Sequence, residues 1–84
     1  MINEYREKIT SIDLEIQKLF CQRMEYAKQI GLYKKEHNLP IFDKKREKEL
    51  LEMLLSIYPD NQTKKYYKRL MKEIFALSKE HQND

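Results

Sequence analysis

The sequence predicts an all-α protein of three helices with a long first helix, and three observations carry that prediction. Leu, Ile, Lys and Glu abound, while one glycine and two prolines occur in 84 residues, a composition that favours helices over turns. Apolar residues recur at intervals of three and four, the period of a helix with one buried face. Turn-forming clusters stand at His37-Asn38-Leu39-Pro40 and Tyr58-Pro59-Asp60-Asn61, and two such interruptions divide the chain in three.

The first helix is expected from Asn3 to about Glu36. Its stripe runs through Ile9, Ile12, Ile16, Leu19, Phe20, Ala27 and Ile30. Gly31 interrupts it, at a cost of about 1 kcal/mol relative to alanine. Pro40 ends it, because proline disfavours helix in the residue before it. The second helix is expected to start near Asp43, a good N-cap residue, with Leu50, Leu51, Leu54 and Leu55 as its apolar face. The third carries Tyr67, Leu70, Met71, Ile74, Phe75 and Leu77, and is expected to fray into the polar tail from His81 to Asp84.

A first helix of roughly 33 residues is about 50 Å long, whereas a compact globule of this size is about 30 Å across. Its apolar stripe would protrude from the monomer, and exposed apolar surface of that extent marks a partner site. So small a chain is also hard to stabilise alone. Cys21 is the single cysteine, which excludes an internal disulfide and fits a reduced, cytoplasmic setting. We expect one domain over residues 1–84, forming an intertwined homodimer in which the long helices pair antiparallel about a two-fold axis.

Several classes of function are excluded at this level. Neither His37 nor His81 has companions at metal-ligand spacing. No apolar run approaches the roughly 20 residues of a membrane span, and the N-terminus lacks a signal-peptide core. Paired nucleophile and histidine, and glycine-rich phosphate loops, are missing from the sequence. We therefore expect no cofactor, no metal and no membrane. Lys64, Lys65, Lys68, Arg69 and Lys72, interleaved with Tyr66 and Tyr67, could suggest a nucleic-acid or helical binding module. With a net charge of +3 and acids interspersed elsewhere, the stretch reads instead as a solvated helix face.

The informative residues are polar ones in apolar register. Arg23 and Lys34 continue the stripe of the first helix on one face, roughly 16 Å apart along its axis. Neither has an acid one turn away on that face, so an anion from outside would relieve them. Glu47 stands one turn before Leu50 and Leu51. Ser78 and Gln82, four residues apart, extend the inward face of Met71, Ile74 and Phe75. Several cations, a carboxylate, an amide and a hydroxyl suit a small dianion that bears a further hydroxyl group.

Each residue also has an ordinary structural use. Arg6 reads as a surface arginine, Arg23 and Lys34 as snorkelling side chains, and Asp43 as an N-cap. Glu47 reads equally as a first-turn acid favoured by the helix dipole.

In register, these residues resemble a known family. The stretches Arg6-Glu7-Lys8-Ile9, Gln22-Arg23-Met24, Ile30-Gly31-Leu32-Tyr33-Lys34, Leu39 to Glu47, and Ile74-Phe75 with Ser78 and Gln82 are similar to the all-helical chorismate mutases. The similarity runs from Arg6 to Gln82 with no departure at the positions the family uses. It implies an isomerase of aromatic amino-acid biosynthesis that converts chorismate to prephenate. It further implies that Arg6 of one subunit and Arg23 of the other bind the two carboxylates with Ser78. Lys34 and Gln82 would donate to the ether oxygen. Glu47 and the backbone near Asp43 would take the ring hydroxyl, with Arg46 ordering Asp43 and its loop. Geometry agrees about Arg6: it lies about 42 Å from Lys34 along one helix, so the two meet one small ligand only across a dimer.

The rival of the same fold is an isochorismate-pyruvate lyase, and the Asp43 and Glu47 arrangement favours the mutase. The sequence suggests no second domain for prephenate chemistry and no regulatory domain, so a pathway partner enzyme would supply any feedback.

Overall fold

The computed structural model describes residues 1–57 and 60–83, three helices in the order α1 (Ile2–Glu36), α2 (Lys44–Leu55) and α3 (Asn61–Asn83). The proposed turn residues Tyr58 and Pro59, and the terminal Asp84, lie outside the described residues. The described chain measures 54 × 25 × 15 Å with a radius of gyration of 15.7 Å. Its long dimension is close to the ~52 Å that 35 helical residues occupy, so α1 sets the length of the molecule.

Helix α1 stops through its backbone. Asn38 takes a left-handed conformation, φ 54°, which asparagine tolerates better than most residues. The Leu39 N–H then donates to the Lys34 carbonyl at 2.8 Å, and the Asn38 N–H to that of Lys35 at 3.4 Å. This crossed pair satisfies two carbonyls that the helix end would leave free. Pro40 follows and prevents resumption.

Asp43 caps α2 as expected, its Oδ1 accepting from the Arg46 N–H at 3.0 Å. Asp60 serves α3 in the same way, accepting from the Thr63 N–H at 2.6 Å. The backbone and side-chain hydrogen bonds from Thr63 hold its carboxyl below the usual aspartate range.

Asn61 is already helical, where the sequence suggested a turn. The expected fraying from His81 does not occur either, since α3 continues to Asn83. Its last turn is tied down by the Lys35 ammonium donating to the Asn83 carbonyl at 3.5 Å, and by the Asn83 side chain donating to the Lys79 carbonyl at 3.2 Å.

Helix α3 is the central element and packs against both α1 and α2. Among the described residues the buried apolar core is Ala27, Met71 and Phe75. This is very little core for a folded domain. Gly31 is buried beside it, and a Cβ there would lie 2.7 Å from the Gln82 carbonyl oxygen and 2.8 Å from its Cα. The glycine lets α1 and α3 touch backbone to backbone.

Along α1, Ile9, Ile12, Ile16 and Leu19 are 55% to 58% exposed. The stripe has the expected period, but half of it has no cover within the chain. The four leucines of α2 are half-buried.

Candidate active site

Where α1, the 37–43 loop, α2 and α3 converge there is a cavity of about 450 Å³. Arg23, Lys34, Asp43, Arg46, Glu47, Ser78 and Gln82 all line it, so seven of the eight candidates singled out in the sequence meet in one place. Arg6 does not. It is exposed on the first turns of α1, and its carbonyl accepts from the Thr10 hydroxyl at 2.9 Å.

The two inward cations of α1 have neutral partners. The Arg23 guanidinium donates to the Ser78 hydroxyl, which in turn donates to the Ile74 carbonyl at 2.8 Å. The same guanidinium lies 5.6 Å from the centroid of the Phe75 ring. Burial lowers the Arg23 pKa from its ordinary value, opposed by Coulombic interaction with Tyr67 and Glu47. Arginine stays charged under such a perturbation, so a cation is held in place with its charge only partly compensated.

The Lys34 ammonium donates to the Ile41 carbonyl at 2.9 Å. It has two further N–H groups and so can hold the loop and serve a ligand together. Among the described residues the one ion pair within 4 Å joins Lys45 to Glu49, on the exposed face of α2.

On α3, Ser78 is buried and Gln82 half-buried. The Gln82 Oε1 is buried with no hydrogen-bond partner among the described residues. Such a group costs free energy until something binds it. A half-turn of the amide presents its two N–H donors instead. Asp43 turns a carboxylate oxygen to the Arg46 backbone N–H, and the Glu47 N–H donates to the Asp43 carbonyl at 3.1 Å. The contact between Asp43 and Arg46 thus runs through the backbone.

Cations, a cap, an acid, a hydroxyl and an amide around one small cavity can bind and orient a small anion without covalent chemistry. Among the described residues there is no cluster of three metal-ligating side chains. No described helix is long and apolar enough to cross a membrane.

The pattern of the type II chorismate mutases matches residues 5–83. The chain belongs to that family.

Two relatives illustrate the likeness. The bifunctional chorismate mutase/prephenate dehydratase of Aquifex aeolicus is 31% identical over 86 residues, covering 93% of this chain and 24% of the relative. The T-protein of Haemophilus influenzae is 37% identical over 51 residues, covering 61% of this chain and 14% of the relative. The chain thus spans a quarter or less of the length of these curated relatives.

Some residues of this mutase-type cavity were not singled out from sequence. Tyr26, Ile41, Phe42, Leu50 and Lys79 also line it. Phe42 and Lys79 face each other, the ammonium 4.3 Å from the ring centroid. Lys79 follows Ser78 directly and precedes Gln82 by one turn. That spacing was the available signal, and it was masked by the abundance of lysine along α3.

Proposed function

We propose that this chain is a chorismate mutase that rearranges chorismate to prephenate in aromatic amino-acid biosynthesis, with residues 1–84 forming one mutase domain that works as a homodimer. The observation that carries the proposal is the gathering of seven family-register side chains around one cavity while the eighth, Arg6, is left in solvent.

The reaction breaks an ether C–O bond as a C–C bond forms, within one molecule. It needs no proton transfer and no covalent intermediate. What the protein supplies is orientation and charge. Arg23, with Ser78 beneath it, takes one carboxylate, as a planar guanidinium can do with two parallel hydrogen bonds. The partner subunit's Arg6 takes the other. Holding both fixes the side chain over the ring, so the entropy of alignment is lost on binding and not during reaction.

Lys34 and the Gln82 amide donate to the ether oxygen, where negative charge grows as the bond breaks. Donors that interact more strongly with the transition state than with the ground state raise turnover. Glu47 and the backbone at Asp43 receive the ring hydroxyl, and Arg46 lines the wall beside them.

The dimer follows from length. Pairing two α1 helices antiparallel, with one Arg6 level with the other chain's Lys34, puts the two-fold axis near Phe20. That register covers the exposed stripe from Ile9 to Leu19. At about 25 cal/mol per Å², covering the open half of each of those side chains stabilises by roughly 1 kcal/mol apiece.

The test is to give purified protein chorismate and identify the product, with a Lys34→Ala variant beside it. Prephenate is expected, and the variant should lose about 10²–10³ in turnover, the usual worth of one such donor. Chorismate left intact while isochorismate yields pyruvate would replace this reading by the lyase.

A further inference from the structure

We propose that Lys79 is a further substrate-binding residue, an ammonium held at the cavity by the Phe42 ring and available to a ligand carboxylate. The inference rests on the mutase reading and adds a contact to its site.

Charge is the first argument. Arg23, Lys34, Arg46 and Lys79 line the cavity against the carboxylates of Asp43 and Glu47. Four cations against two acids leave this chain's share of the site with an excess of two positive charges, which attracts an anionic ligand.

Geometry is the second. Lys79 is half-buried on α3, between Ser78, which carries Arg23, and Gln82 one turn on. Its ammonium has a ring face for company, 4.3 Å from the Phe42 centroid, and no carboxylate within 4 Å among the described residues. A ring face engages one side of an ammonium and leaves N–H donors directed elsewhere.

Phe42 is the third. It belongs to the loop whose other tie is the Lys34 ammonium on the Ile41 carbonyl. Two lysines, from α1 and α3, therefore grip adjacent residues of the segment that leads into Asp43. Lys79 positions that loop and gains an anion when substrate enters.

The experiment compares chorismate kinetics of the wild type, Lys79→Met and Lys79→Arg at low and high NaCl. Methionine keeps the length and packing of the stem without the charge. Lys79→Met is expected to raise KM about tenfold while kcat falls by less, about threefold at most. Its KM should also respond less to salt, because one screened contact has gone. Lys79→Arg should recover most of the loss. A KM within twofold of wild type in Lys79→Met overturns the proposal, and so does an equal rise in both variants, which would mark a packing role. Failure of the wild type to convert chorismate would remove the mutase reading itself and this proposal with it. An active wild type with an indifferent Lys79→Met removes the proposal alone.

Discussion

The two halves of α1 obey the same sequence rule and meet different fates. Residues 2–19 carry Ile9, Ile12, Ile16 and Leu19 at helical spacing, and all four are more than half exposed. Residues 20–36 carry Phe20, Ala27 and Gly31, with Ala27 and Gly31 buried against α3. The first half exposes large side chains with nothing over them. The second presents its smallest residues to another helix and its cations to a cavity. A helix is set by local propensity and a repeating stripe, so both halves are helical. Whether a stripe is covered depends on what else the chain can reach, and α3 reaches only one half.

The largest effect should come from placing charge on the bare half. Ile12→Asp with Ile16→Asp is expected to abolish the dimer and nearly all activity, since two carboxylates would be buried without partners in the paired helices. Sedimentation and the chorismate assay read it. A wild type that sediments as a monomer, or a charged variant that stays dimeric, breaks the comparison.

Joining the two halves across chains gives the next effect. Arg6→Ala and Lys34→Ala should each lose activity by about two orders of magnitude or more. Mixed in equal amounts through an unfolding and refolding step, they should recover about a quarter of wild-type activity. Half the dimers are then mixed, and each of those has one intact site. Recovery no better than the separate variants would mean that Arg6 serves no site across the interface.

The smallest effect concerns the packed half alone. Gly31→Ala should gain about 1 kcal/mol in helix propensity. Against it stands a methyl 2.7 Å from the Gln82 carbonyl oxygen, and overpacking of this kind costs typically 1–3 kcal/mol. The balance is a modest loss, a few degrees in melting temperature, with Gln82 displaced and kcat reduced. A more stable variant with full activity would show that α3 shifts freely at that crossing.

Much of the site was legible because its residues break a pattern. Arg23, Lys34, Ser78 and Gln82 stand where the helical period calls for apolar side chains, and a run of seven family positions fell around one cavity. Lys79 was not legible, since one lysine among many on α3 breaks no pattern; only the approach of Phe42 distinguishes it. The end of α3 was misread for a related reason. A polar tail looks frayed in isolation, yet Gln82 and Asn83 are held by contacts to Gly31 and Lys35 on α1.

By itself the sequence determined three helices, the cap at Asp43, and the face on which each inward polar residue lies. These depend on hydrogen bonds and side-chain periods spanning three or four residues. Only the tertiary structure decided that Gly31 permits the close crossing, that Lys35 ties down the end of α3, and which half of α1 is left bare. Those outcomes depend on distances between segments some 50 residues apart, and a local period carries no information about them.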